Sequence, residues 1–374
     1  MVTRLRAKRG SFRCPTPFLE FGMKIDELLD YAVKIQISSG IAAAWGSLDD
    51  LTQGKFQSVF AGTESHYSEE KITANTIFDL ASLTKILATT SLFMRLHERG
   101  LVDLDAKYPG KPFTFHQLLT HSSGLPAWKP FYEEMIAKFG GADELSKLTI
   151  GERKNYLYEL VNAVPLENQP GEKIVYSDLG FLLLSEFVEN LENGKYFCDW
   201  VKEEVWSRIK GCGLQYRPLS TRDSKTGIAA TEFCPWRGML QGEVHDDNCW
   251  SMGGVAGHAG VFGSLNDVVA WTRALTQGKI VSFATLEKFS KITSDSTGAR
   301  RAIGFDVPAL DGSGSTANVF SPNGTIGHLG FTGTSVWIDL DAGRFAILLT
   351  NRVHPSRDDN RIRSLRPMFH RVAF

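Results

Sequence analysis

The chain has 374 residues, 43% of them hydrophobic and 22% charged, with a formal net charge of −1. That is enough apolar material for one large domain or two ordinary ones, and the charge balance favours neither nucleic acid nor an anionic membrane surface. No apolar run reaches the length of a membrane span, and the five cysteines (Cys14, Cys198, Cys212, Cys234, Cys249) form no C-x-x-C pair, which argues against a disulfide framework or zinc knuckle and for a reducing compartment.

Residues 1–13 carry Arg4, Arg6, Lys8, Arg9 and Arg13 with no acidic group. A signal peptide would need an apolar stretch behind that basic start, and none follows. Residues 1–22 read either as a loose arm or as an over-extended start, and the folded unit is expected from Met23. Ile25–Ile37 predicts an amphipathic helix. Gly40–Gly46 and Lys55–Gly62 read as strands around the polar turn Ser47–Gly54. Ser82–Arg99 is apolar nearly all round, which predicts a buried helix, with Gly100 suited to its C′ position. Between Lys111 and Leu265 the signals are mostly helical: Thr114–Leu119, Phe131–Phe139, Arg153–Asn162, Leu179–Leu191 and Lys195–Ile209. Val261–Thr276 predicts another helix, with Asp267 in its first turn. Gly330–Leu340 and Arg344–Asn351 are rich in β-branched and aromatic residues and flank Asp341-Ala342-Gly343, a hairpin signal. Arg357–Phe374 reads as a basic amphipathic helix. Strands toward both ends with helices between them imply an α/β (α+β) fold: one sheet built from both termini, with a mostly helical region inserted. Residues 23–374 are expected to form a single composite domain, its sheet part spanning 23–112 and 266–374 and its helical part 113–265.

Ser82 and Lys85 stand at i and i+3, so a helix places them on one face, about 5–6 Å apart at Cβ. A serine hydroxyl is a poor nucleophile without an adjacent base, and a lysine in a dry pocket can lose its charge and accept a proton. The same spacing recurs at Ser207 and Lys210, but there it follows Lys202, Glu203 and Glu204 and runs into Gly211, the solvated end of an amphipathic helix. The competing reading of the first pair makes Ser82 a helix N-cap and lets Lys85 snorkel to water.

Tyr176-Ser177-Asp178 follows Gln169-Pro170-Gly171, and Tyr176 is the one tyrosine of nine in a Tyr-x-[Asn/Asp] pattern. This is either a Pro-Gly turn before an Asp-capped helix or a phenol placed to shuttle a proton. Three segments offer a cation or imidazole to complete a site: Lys225-Thr226-Gly227, His258-Ala259-Gly260 and His328-Leu329-Gly330. The third opens a strand–turn–strand unit, where Gly330 would let a substrate backbone come close, and position favours it. His245, Asp246, Asp247 and His258 have residue types that suit zinc, but their loop composition equally suits hydrogen-bonded turns. No metal or other cofactor is assigned. Trp128, Phe131, Tyr132 and Trp236 are either cleft aromatics or core.

Ser82-Leu83-Thr84-Lys85, Leu118-Leu119-Thr120-His121-Ser122-Ser123-Gly124-Leu125-Pro126, Pro170-Gly171 with Tyr176-Ser177-Asp178, Gly253-Gly254 and His328-Leu329-Gly330 occur in that order. The ordered set resembles the serine β-lactamase and penicillin-binding-protein superfamily, and most of all its class C branch with D-alanyl-D-alanine carboxypeptidases and esterases. The resemblance runs from about Met23 to Phe374 and implies a β-lactamase-like fold with a central antiparallel sheet flanked by helices. It also implies Ser82 as the acylated nucleophile, Lys85 and Tyr176 sharing proton abstraction, and His328 where many relatives carry lysine. The backbone N–H groups of Ser82 and Phe331 would form the oxyanion hole. Asp178 replaces the commoner asparagine beside the substrate, and Leu329 replaces the usual threonine; Thr332 or Thr334 stands as a substitute hydroxyl. Both departures count against efficient β-lactam hydrolysis.

The expected activity is therefore that of a serine hydrolase acting on an amide or ester through an acyl-enzyme. A D-Ala-type peptidase or amidase leads, ahead of a carboxylesterase and a slow or non-catalytic penicillin-recognising scaffold. The partner implied is a small-molecule or peptide substrate (muropeptide, β-lactam or ester). The cysteines and the start of the sequence place it in the cytoplasm, or in the periplasm if the true N-terminus differs.

Overall fold

The computed structural model describes residues 22–192, 194–311, 314–316 and 318–374; Cys14 and nearly all of the expected 1–22 extension lie outside these residues. Five antiparallel strands form the central sheet: β1 Gly40–Ser47, β2 Gln57–Gly62, β3 Thr325–Leu329, β4 Ser335–Asp339 and β5 Arg344–Thr350, in the spatial order β3-β4-β5-β1-β2. Ala44 pairs with Ile347, which in turn pairs with Val336. Side chains alternate across the pleat. Ile41, Ala43, Trp337, Ala346 and Leu348 face one layer, while Ala42, Ala44, Val336, Ile338, Ile347 and Leu349 face the other.

The first layer is the helix Ile25–Lys34 beside the helix Ile362–Ala373. Ile25, Leu28, Leu29 and Ala32 recur at helical spacing and are buried, with Asp26 and Glu27 at the positive end and Lys34 at the negative end of the dipole. The helix stops short of the expected Ile37 because Gln36 turns left-handed at φ 60°. The second layer is the main core. The segment from Ser82 to Glu98 runs through it with Leu83, Ile86, Leu87, Leu92, Phe93, Met94 and Leu96 fully buried, packed on the apolar helix Asp178–Leu191. No helix among the described residues is long and apolar enough to cross a membrane.

Several expected elements differ in detail. The segment after Ser82 is not a uniform α-helix: Ala81–Leu83 is a 3₁₀ turn, Lys85–Thr90 is π-helical, and the α-helix covers Ser91–Glu98. At the end of the wide turn the Ser91 hydroxyl donates to the Ile86 carbonyl and competes there with the helical ladder, while the Thr89 and Thr90 hydroxyls tie the segment to the Gly257 and Gly304 carbonyls of neighbouring loops. Ser47–Gly54 holds a short helix, Leu48–Thr52, capped by Ser47. Val261–Gly263 is a strand between Phe78–Asp79 and Gln215–Tyr216, and the helix begins only at Leu265, where Ser264 and Asp267 cap each other. The expected strand Gly330–Leu340 is a strand only from Ser335, while the preceding strand β3, which carries His328, was not expected. Gly333, at φ 104°, makes the turn between them. The C-terminal helix starts at Ile362 rather than Arg357, whose guanidinium is engaged by Glu232.

Candidate active site

Ser82 is presented by a strained turn. Ala81, the residue before it, sits at φ 48°, which costs an L-residue about 1–2 kcal/mol. Asp79 holds that turn by accepting from Ala81 N at 2.8 Å and from His245 N at 2.7 Å. Burial raises the Asp79 pKa and those two amides oppose it. The π-helical turn then carries Lys85 under the serine. Lys85 is fully buried; its Nζ lies 3.1 Å from Ser82 Oγ, 2.7 Å from Asp178 Oδ1 and 3.3 Å from the His258 carbonyl. Burial works against the Lys85 charge, but Asp178 and Tyr176 outweigh it and the net displacement of its pKa is upward. Lys85 therefore does not snorkel to water.

Tyr176 and Asp178 are held by the stretch His121–Ala127. Val175 N donates to the His121 carbonyl (2.9 Å), Ser177 N to His121 Nδ1 (3.0 Å), Ser177 Oγ to the Pro126 carbonyl (2.7 Å) and Asp178 N to the Ala127 carbonyl (3.0 Å). The Tyr176 hydroxyl interacts with both Ser82 and Lys85, and burial pushes its pKa up to about 12, with Lys85 pulling down and Asp178 pushing further up. His121 is a site residue that motif reading quoted without assigning it work. Its ring lies 4.6 Å from that of Tyr176, and burial, then Arg301, Lys85 and His328, hold its pKa well below the usual imidazole range. A neutral Nδ1 that accepts a backbone N–H is the form this packing needs.

The opposite wall is the turn between β3 and β4. The His328 ring is 5.8 Å from that of Tyr176, and its Nδ1 faces the Leu329 carbonyl at 2.8 Å. Asp306 stands 4.0 Å from His328 Nε2 and 3.3 Å from Arg301. Burial lowers the His328 pKa, with Asp306 opposing. Thr332 corrects an expectation. It is fully buried and donates to the Asp79 carbonyl at 2.7 Å, so it offers no hydroxyl to a substrate, and Thr334 likewise donates to the Leu80 carbonyl at 3.1 Å. The two hydroxyls instead staple the Phe331 turn to the residues just before Ser82. Arg366 donates to the Gly330 and Thr334 carbonyls (both 2.8 Å) and Arg352 to the Phe331 carbonyl (2.8 Å). Because a trans peptide plane sets its N–H opposite its C=O, anchoring Gly330 O fixes the direction of the Phe331 N–H.

Gly330 lines the cleft, and its lack of a side chain serves packing as well. A Cβ there would lie 2.0 Å from Thr334 Oγ1 and 2.7 Å from Leu80 O. Gly330→Ala is expected to lower stability by about 1–3 kcal/mol and to reduce kcat, since the turn must move off the Ser82 segment. Wild-type melting temperature and turnover in that variant would remove this account of the glycine.

Asp178 faces the cleft but is the ion-pair partner of Lys85, not only a group for substrate. Of the other two candidate segments, His258 contributes its carbonyl to Lys85 and its ring to Asp246 (2.9 Å), whereas Gly227 N is bound to Glu64 away from the site. The four zinc-type residues are partnered separately: His245 with Glu232, His258 with Asp246 and Asp247 with Arg237. Among the described residues no group of three or more such side chains converges. Ser82, Tyr176, Asp178, His328 and Phe331 share a cleft of about 900 Å³ that is also lined by Arg301, Arg352, Arg357, Arg363 and Arg366. Phe131 is core, while Trp128 lines the cleft. A hydroxyl and a phenol lining one cavity, with a buried amine beneath the hydroxyl, are parts of acyl transfer.

The sequence model of the β-lactamase family matches residues 46–366. The N-acetylmuramyl-L-alanine amidase of Bacillus subtilis (strain 168) is 30% identical over 335 residues, 79% of this chain and 72% of that protein. The putative D-alanyl-D-alanine carboxypeptidase of Escherichia coli (strain K12) is 30% identical over 319 residues, 76% and 71% respectively. Among solved structures, unliganded simvastatin synthase from Aspergillus terreus superposes with a TM-score of 0.68 at 18% identity, covering 93% of this chain and 96% of that one. The octameric penicillin-binding protein homologue from Pyrococcus abyssi gives 0.65 at 19%, covering 87% and 72%. These two likenesses establish the fold.

Proposed function

The chain belongs to the β-lactamase family of serine hydrolases, and from that premise we propose that it cleaves an amide bond in a cell-wall-type peptide, as a D-Ala-type peptidase or amidase. The observation that carries the reaction is Lys85, fully buried and shared between Ser82 and Asp178. In this reading Ser82 Oγ attacks the carbonyl carbon and its proton passes to the Tyr176–Lys85 pair. The oxyanion is met by the N–H groups of Ser82 and Phe331; removal of one such donor typically costs about 10²–10³ in kcat. The C–N bond then breaks as the pair returns the proton to the leaving nitrogen. Water cleaves the resulting ester, releasing the acid and restoring Ser82. The names of the two relatives at 30% identity, one an amidase and one a putative carboxypeptidase, support the substrate class.

One observation favours a carboxylesterase as the second reading. Leu329 and the inward-turned Thr332 leave no hydroxyl on that wall to hold a substrate carboxylate. Kinetics on an N-acetylmuramoyl-L-alanyl peptide, a D-alanyl-D-alanine peptide and an activated ester separate the two. The expected result is multiple turnover of at least one peptide. Rapid ester turnover with neither peptide cleaved would replace the amidase reading by the esterase one.

A further inference from the structure

Behind the wall that carries His245 lies a second pocket, of about 300 Å³, which shares no lining residue with the catalytic cleft. Val244 lines this pocket and His245, its neighbour, lines the cleft. Two arginines face the second pocket: Arg153, from the helix Ile150–Asn162, and Arg217, which follows the strand Gln215–Tyr216. They are close enough to repel each other, and burial, then Arg217, hold the Arg153 pKa below its ordinary value. Neither guanidinium has a hydrogen bond or ion pair among the described residues, and the Arg153 Nε is buried without a partner. Arg153 also stands near the positive end of its helix, where a cation is disfavoured.

The carboxylates around the pair are engaged elsewhere. Glu243, the one acid lining the pocket, binds Arg237 at 3.0 Å. Glu152 caps its own helix with Thr149, and Glu189 binds Lys154. Asp199, exposed on the helix Phe197–Glu204, pairs with neither arginine. The lining thus sets two unpaired cations against one anion that is already bound. Arg217 is moreover strained, at φ 48°, and Ser220 holds it there by donating its N–H (2.9 Å) and hydroxyl (2.8 Å) to the Arg217 carbonyl. Strain of this kind collects at ligand clamps. Gly254 makes room for the side chain, since a Cβ there would lie 3.1 Å from Arg217 Cγ. Two planar guanidiniums can share a single carboxylate. The remaining walls include Ile150, Leu219, Trp250 and Phe262, apolar groups that an inorganic anion would leave uncovered. We propose that this pocket is a second ligand site, which takes a small carboxylate with an apolar body. The carboxylate bridges Arg153 and Arg217, and the body lies against the apolar walls.

The test titrates the full chain by calorimetry with phenylacetate, and with inorganic phosphate as a bare anion. The wild type should bind one phenylacetate saturably and more tightly than phosphate. Arg153→Gln and Arg217→Gln should each weaken that binding about ten-fold or more. Arg363→Gln, in the catalytic cleft, should leave it unchanged. Without ligand, the melting temperatures of the two pocket variants should equal or exceed that of the wild type, because a repulsion is removed. Acylation of Ser82 by an activated ester should persist in both. No saturable phenylacetate binding to the wild type, or undiminished affinity in both pocket variants, overturns the site. So does a loss confined to Arg363→Gln, which places the carboxylate in the cleft. Phosphate binding as tight as that of phenylacetate overturns the apolar-bodied class. A lower melting temperature in both pocket variants also overturns the site, by assigning the two guanidiniums to the fold.

Discussion

Ser82→Ala is expected to abolish covalent loading. Incubated with an activated ester or with penicillin, the wild-type chain should gain the mass of one acyl group, and the variant should keep the mass of the free protein. Turnover should fall on the order of 10⁴-fold or more, because the acyl-enzyme route then has no bond to form and only binding and the oxyanion donors remain. The variant is expected to fold. Ser82 is half-buried at the cleft, and the turn that presents it is held by Asp79, Thr332 and Thr334 rather than by its own hydroxyl. An adduct of equal mass on Ser82→Ala would place the nucleophile elsewhere.

Asp178→Asn should move the pH dependence, and its sign follows from the local charges. Asp178 lies 2.7 Å from Lys85 Nζ, and its charge raises the pKa of both Lys85 and Tyr176. Both groups therefore hold their protons at neutral pH. The reactive form has one proton fewer, so kcat/KM should rise toward alkaline pH in the wild type. Removing the carboxylate removes an upward push on both groups. The alkaline limb should then shift to lower pH, by on the order of 1–3 units for loss of an adjacent opposite charge. The amide also leaves a buried ammonium less well compensated, so loss of the Lys85 proton is favoured over retention of an unpaired charge. A limb that stays at its wild-type position would show that Asp178 does not set the proton affinity of the pair.

Local spacing made part of this site legible. Ser82 and Lys85 are close in the chain, and their apolar context distinguished them from Ser207 and Lys210. The helix Ile25–Lys34 and the strands β1 and β2 were readable for the same reason, since their periodicity is local. The Lys85–Asp178 pair was not, because 93 positions separate its members and nothing in either segment announces the other. The stapling role of Thr332 was equally hidden. A threonine in a glycine-rich turn reads as available to ligand until the Asp79 carbonyl is seen beside it. His121 stood inside the most distinctive block of the sequence, yet its function as a neutral backrest for Tyr176 depends on burial, which motif reading does not measure. Strand β3 escaped notice because Gly327 interrupts it. That glycine is needed where Trp337 packs, since a Cβ would fall 2.3 Å from the indole.

The spatial order β3-β4-β5-β1-β2 has a consequence for biosynthesis. On the ribosome, β1 and β2 emerge early and can zip into a hairpin, but the other edge of β1 is completed only by β5, about 300 residues later. For that interval a small-residue apolar ribbon, Gly-Ile-Ala-Ala-Ala-Trp, offers unpaired amides and carbonyls to any neighbouring nascent chain. Products truncated before Arg344 are therefore expected to be insoluble, because that edge of β1 then has no strand to complete it.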